Sequence, residues 1–437
     1  MVVSVRVGCR SQWGRAHRSY LEFGGDSGVN LDINLRTVKL TRFSGIWIAV
    51  VGWLCLPAVL VTQAQQHSTR NELPDTTADR IAGQGWWWPT KSPASTKGYV
   101  GSKVCAECHS AIASSQSESE MAKAAFRLSG GEAGQPASGD FVSGSYTYRF
   151  IPSNTLPGYS LEVTSNGHSI SSPIVWTMGV GVHGQTYLLD KNGGLYEGQA
   201  SSFSFIHGIG LTPGHKLAEE GSLENALGLP LKAGEALRCF ACHTTASSAH
   251  STLNTADAVP GVQCEACHGP GLDHVNAMMA GQTDEAHQAI FNPASLTPTS
   301  SIDFCGACHR TMMDVVMNEP EPGAYTIRFQ PYRLEESRCW KATRDARLAC
   351  TECHDPHAPM VRDAHFYDQK CLSCHSPGKE AGRNASSGTW AATPKVCPKA
   401  SANCTSCHMP RSNVPDMHST FVDHFIRIVR PGERVPN

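Results

Sequence analysis

Seven times in this chain two cysteines stand three positions apart with a histidine directly after the second. The triplets are Cys105, Cys108, His109; Cys239, Cys242, His243; Cys264, Cys267, His268; Cys305, Cys308, His309; Cys350, Cys353, His354; Cys371, Cys374, His375; and Cys404, Cys407, His408. Fourteen of the eighteen cysteines are used in this way. Two thiols at this spacing can add to the two vinyl groups of one haem, and the next imidazole is then placed below the iron. A single Cys-x-x-Cys also reads as a zinc half-site or a redox dithiol. Neither of those needs a histidine next in line, and all seven copies have one. The expected cofactor is therefore covalently bound haem c, seven groups in all.

Each iron has a second axial position. After residue 65 the chain has twelve histidines beyond those in the motifs, enough to supply every iron. His274 follows His268 by six residues, past a Gly-Pro-Gly turn, and His357 follows His354 by three. Neither can easily reach the far face of its own porphyrin, so each is expected to bind a neighbouring one. His424 and His418 come after the last motif, and His183 lies in a Gly-Val-His-Gly loop whose glycines permit close approach. The order of preference is His274, His357, His424, His183 and His418. Met121, twelve residues beyond His109, offers a thioether to one remaining iron; the alternative is ordinary helix packing. His207 and His215 sit in similar loops with a weaker claim. Cys339 and Cys397 stand outside the motifs, with a disulfide, free thiols or an axial thiolate as their readings.

The elements that must hold these groups follow from the spacing. From Cys239 onward the motifs start 25, 41, 45, 21 and 33 residues apart, room for one helix or loop between porphyrins. The expectation is a mainly α fold with extensive loop, a multihaem core wound around its cofactors. A helix is expected from the Cys105 motif through Ala111 to Leu128, where no proline interrupts. Residues 146–151, 160–164, 169–176 and 185–189 are short β-prone runs, read as a small antiparallel insert near residues 140–205, with Lys191 to Gly194 as a tight turn. Four regions result: a leader at 1–64, a linker at 65–98, a first haem module with the β insert at 99–232, and a haem-dense core at 233–437.

The net charge of -2 and the lack of a basic patch among 437 residues exclude a nucleic-acid surface. Residues 45–61 are seventeen uncharged, mostly apolar positions preceded by Arg36, Lys39 and Arg42. They read as a signal peptide cleaved near Ala64, with a retained membrane anchor as the alternative. Either places the chain in the periplasm or another extracytoplasmic space.

Several words around the motifs resemble the multihaem cytochromes related to the tetrahaem electron acceptor of hydroxylamine oxidoreductase, the cytochrome c-552/4-like group. The resemblance covers roughly residues 99 to 426. It rests on Tyr99-Val100-Gly101-Ser102, Gly181-Val182-His183-Gly184-Gln185-Thr186-Tyr187, Cys267-His268-Gly269-Pro270-Gly271 through His274, Ser337-Arg338-Cys339, Cys353-His354-Asp355-Pro356-His357, and Cys407-His408-Met409-Pro410-Arg411 with Asp423-His424. It implies a periplasmic electron-transfer module in which His274, His357 and His424 are distal ligands. Two departures stand out: Met121 occupies a place where relatives often have histidine, and no Cys-x-x-Cys-Lys site is present.

Three functions remain after this reading. The first is an electron carrier between redox proteins of the periplasm or membrane, which needs no catalytic residue. The second is an oxidoreductase acting on a small nitrogen or sulfur species at one open iron, with the Cys105 or Cys305 site as candidate. The third is a haem-bearing scaffold subunit of a membrane redox complex.

Overall fold

The computed structural model describes residues 89–90, 97–127, 135–154, 158–216, 222–249, 252–318, 323–343, 348–376, 397, 401–414, 416–430, 432–433 and 435–436. The leader, the apolar run at 45–61 and most of the linker lie outside them. Among the described residues no helix is long and apolar enough to cross a membrane.

The largest element is a sheet, and it overturns the expectation of a mainly α chain. Helix accounts for 38% and strand for 24%. Ten strands precede the second motif: β1 (Ala125–Arg127), β2 (Asp140–Ser143), β3 (Tyr146–Pro152), β4 (Tyr159–Ser165), β5 (His168–Met178), β6 (Thr186–Lys191), β7 (Gly194–Gly198), β8 (Ala200–Phe203), β9 (Gly208–Leu211) and β10 (Gly228–Pro230). Eight of them form one antiparallel sheet in the order β10-β7-β6-β5-β4-β3-β2, with β1 also pairing to β5. β8 and β9 make a separate hairpin. The expected runs at 146–151, 160–164, 169–176 and 185–189 fall on β3 to β6, but the sheet extends well beyond them at both ends. Two Asn-Gly pairs set its hairpins: Asn166 and Gly167, and Asn192 and Gly193, all have positive φ, as a two-residue turn matching strand twist requires.

The expected helix from Cys105 to Leu128 is also corrected. It breaks at His109, resumes as Ser110–Ser117, and the chain then enters β1. Ala125 is buried there and pairs with Met178. Tertiary pairing with β5 outweighs the helix propensity of this Ala-rich stretch.

β5 explains why the sheet matters for the attachment sites. Its eleven residues pair first with β4 and then with β6 and β1, and the register slips between Ile174 and Trp176. That bulge sends Ile174 into one core, with Tyr148, Leu161, Tyr187 and Leu189, and Trp176 into another, with Met178, Leu188 and Phe240. Phe240 lies inside the second motif, is fully buried, and meets Trp176 edge-on at 4.9 Å between ring centres. Burying a Phe contributes about 2–3 kcal/mol, so the sheet is the anvil on which the Cys239 site is fixed.

Beyond residue 233 the expectation of helix plus loop agrees with the structure. Helices Ala233–His243, Cys264–His268, Leu272–Met279, Thr283–Gln288, Pro298–His309, Gln330–Glu335 and Ala364–His375 are joined by loops and two-residue ladders, and a four-residue ladder of Arg411–Val414 with Ser419–Val422 follows the last motif.

Candidate metal centres

Every motif lies at the C-terminal end of a helix. Four run to their histidine within Ala233–His243, Cys264–His268, Pro298–His309 and Ala364–His375, and Cys404–His408 makes a fifth. In Ser102–Cys108 and Cys350–Cys353 the histidine is the C-cap residue. Positions three and four apart share a helix face, so one turn presents both thiols and the imidazole to the same side.

Three of these histidines face a second imidazole from elsewhere in the chain. His109 lies 6.5 Å from His274 between ring centres, His268 lies 5.9 Å from His357, and His354 lies 6.2 Å from His424. The His268–His357 rings are within 8° of parallel. A metal with an imidazole nitrogen about 2 Å away on each side sets the ring centres roughly 6 Å apart. Two thiols, a near imidazole and a far imidazole at this separation fit a covalently attached, six-coordinate haem iron.

Ring orientation points the same way. The Nδ1–H groups of His243, His268 and His408 donate to the carbonyls of Ala124, Phe291 and Arg427 at 2.8 to 2.9 Å. His274 donates to Ala286 at 2.8 Å and His424 to Val422 at 3.0 Å. A carbonyl can only accept, so the neutral ring keeps its lone pair on Nε2, the atom left for a metal. Burial pushes His243 and His354 down and takes His424 to about 4, which keeps these rings in the neutral, ligating form.

Thiols of different motifs are neighbours. Cys105 meets Cys264, Cys242 meets Cys308, Cys305 meets Cys350, and Cys371 meets Cys404. The attachment points are therefore packed side by side. Two buried carboxylates set this packing, and neither stood out in the sequence. Glu265, 4% exposed inside the Cys264 motif, accepts the N–H groups of Val100, Gly101 and Gly271 at 2.8 Å each. It thereby joins the approach to the first motif, the Cys264 motif and the turn leading to His274. Asp368, three residues before Cys371, accepts from Asn403 and Cys404 at 2.7 and 2.8 Å, the start of the last motif's helix. Glu265 fills one of the two unspecified places between Cys264 and Cys267, and Asp368 lies outside its motif, so only their burial reveals the role.

The remaining candidates are placed as follows. His183 donates to or accepts from Ser419 at 2.7 Å through Nδ1, and its ring stacks 4.2 Å from Phe421. His418 is exposed, has φ of 43° and meets Phe203 edge-on. Met121 is half-buried, and its carbonyl accepts from Val262; the imidazole opposite His109 is that of His274. His215 has both ring nitrogens engaged, with Gln199 and Glu197, and His207 is exposed at a hairpin tip. Burial holds His309 below its ordinary value, and His375 ends its helix exposed. Burial raises the Cys339 thiol, and Cys397 is exposed.

Acid should unfold this arrangement in two stages. Hydrogen bonds from Cys404 and Asn403 hold Asp368 below the ordinary carboxylate range; burial opposes, but Arg333 and the Phe425 N–H still hold Asp423 low. The buried imidazoles are held low as well. For both kinds of group the unfolded chain binds the extra proton, so stability is full at higher pH and declines on acidification. Urea midpoints are expected to fall first below about pH 6.5, as the imidazoles take up protons, and again below about pH 4 with the carboxylates. A midpoint constant from pH 8 to 4 would contradict this.

Compared with known proteins, the chain matches the family model described as cytochrome c554 and c-prime over residues 215–269, and that of cytochrome c3 over residues 342–419. The first stretch contains the Cys239 and Cys264 motifs, and the second those at Cys350, Cys371 and Cys404. No curated protein and no solved structure matches. The two matches support a multihaem c-type cytochrome, and these families imply covalently bound haem c and haem-based electron transfer.

Proposed function

We propose that this chain is an exported heptahaem c-type cytochrome that relays electrons between redox proteins of the periplasm or membrane. The observation that carries the reading is the set of facing imidazoles at 5.9 to 6.5 Å above motifs whose thiols adjoin those of other motifs. When bound, haem supplies a reversible one-electron couple, tuned by its axial ligands and by burial. The chain's part is to hold seven of them close. His274 serves the Cys105 site, His357 the Cys264 site and His424 the Cys350 site. Each of these ligands comes from a segment that also belongs to another haem site, so the sites are locked to one another.

A second reading is favoured at the Cys305 site. Arg328 lies near Arg310, the residue after His309, and its Nε is buried without a hydrogen-bond partner. Arg310 is paired with the Asp314 carboxylate at 3.8 Å, which leaves the Arg328 guanidinium as the cation that suits a small anion such as nitrite at an open iron.

Alkaline pyridine haem counting with an EPR spectrum of the oxidised protein, with and without nitrite or hydroxylamine, separates the two. Seven haems, all low-spin and unaffected by the additions, are the result expected for the carrier. A high-spin signal that shifts on addition would replace it with the enzyme, and fewer than seven haems would overturn the count.

A further inference from the structure

The largest fully buried side chain among the described residues is that of an arginine, Arg333. It lies in the helix Gln330–Glu335 and forms a two-pronged pair with Asp423: Nε donates to Oδ1 and Nη2 to Oδ2, each at 2.9 Å, with side-chain exposures of 0% and 1%. Nη1 donates to the Pro436 carbonyl at 3.0 Å. Arg427 adds a third member, donating through Nη1 to Asp423 Oδ2 at 2.7 Å and to the Phe425 carbonyl at 3.1 Å. The Phe425 N–H closes the set on Asp423 Oδ1 at 3.0 Å.

A buried ion pair of this kind is weak as a source of stability. The cost of removing both charges from water approaches the attraction gained, and apolar pairs of similar volume are often as stable. What a fork-on-carboxylate pair supplies is a fixed angle and register. The residues on either side of it show what is being registered. His424, next to Asp423, faces His354. Ser337, one turn beyond Arg333 on the chain, donates to the His424 carbonyl at 3.2 Å and accepts the Ile426 N–H at 2.8 Å. The Arg427 carbonyl holds His408 Nδ1–H at 2.9 Å, and the Arg427 N–H returns to the His408 carbonyl at 3.2 Å. One buried triad thus adjoins an axial imidazole of the Cys350 site and the motif histidine of the Cys404 site.

We infer that Arg333, with Asp423 and Arg427, is a positioning residue that sets His424 over the Cys350 haem and orients His408 at the last haem. This inference rests on the reading of His424 as an axial ligand. It predicts that the triad affects ligand geometry more than it affects folding.

The experiment compares three variants of the full-length haem-loaded protein by haem count, EPR and redox titration. His424→Ala is the control and should convert one low-spin iron to high-spin. The double variant Arg333→Met with Asp423→Leu removes the fully buried pair and leaves Arg427, 13% exposed, with Glu433 as its ion-pair partner; it should keep its haem count while one low-spin signal becomes high-spin or shifts, and one or two potentials move. Arg333→Lys retains the charge without the fork and should change the same signals to a smaller extent. No change in His424→Ala would refute the ligand assignment beneath the inference. A high-spin iron in His424→Ala alongside a wild-type spectrum and potentials in Arg333→Lys would overturn the inference itself, whether or not the double variant assembles.

Discussion

Replacement of His357 by alanine is expected to turn the iron at the Cys264 site from low-spin to high-spin while leaving the haem count unchanged. The two imidazoles there, His268 and His357, are 5.9 Å apart and nearly parallel, so removing one would leave the chain supplying a single imidazole to that iron. His357 is presented by a short turn in which Asp355 accepts the His357 N–H at 2.8 Å. The side chain is partly exposed and makes little core, so the loss should be one of ligation and not of folding. EPR should show about one high-spin iron per chain, and added imidazole, small enough to enter the vacated place, should restore the low-spin signal. An undiminished low-spin spectrum would mean that another group binds that iron.

The second large effect is expected at Glu265. Its truncation to alanine strands one buried backbone N–H group, that of Gly271, and two partly buried ones, those of Val100 and Gly101. Each orphaned buried donor costs about 1–3 kcal/mol, and the two partly buried ones can turn to water and cost less, so the variant should lose roughly 3–6 kcal/mol, a large part of what a domain of ordinary stability has. The damage should centre on the Cys105 site, because the N–H groups of Val100 and Gly101 begin the approach to that helix and Gly271 begins the segment that carries His274. Glu265→Gln keeps one accepting oxygen and should lose about half as much. Urea denaturation gives the stability, and peptide mass mapping gives haem occupancy at Cys105. Equal midpoints for the alanine variant and the wild type would rule out the clamp.

Legibility in the sequence followed the range of the interaction. Cys-x-x-Cys-His is complete within about one helical turn, so all seven motifs could be found by spacing alone. The Asn-Gly hairpins of β4–β5 and β6–β7 are local in the same sense, and the runs around them alternate as a half-buried sheet does. The sheet's full extent was not legible. β1 is a three-residue strand taken from a helix-prone stretch, and β10 is three residues ending in proline; each exists because an edge of the sheet was there to receive it.

What the sequence by itself determined is the pattern of candidate attachment: which thiols are spaced to take a haem, which imidazoles stand beside them, and that helices and loops between the motifs must be short. What only the tertiary structure decided is which imidazole meets which. His109 and His274 are 165 positions apart, His268 and His357 are 89, and His354 and His424 are 70. No local propensity reaches over such distances. The encounters depend on buried carboxylates and one buried arginine whose bonds run between segments remote in the chain, and these identities acquire their meaning only when the partners have packed.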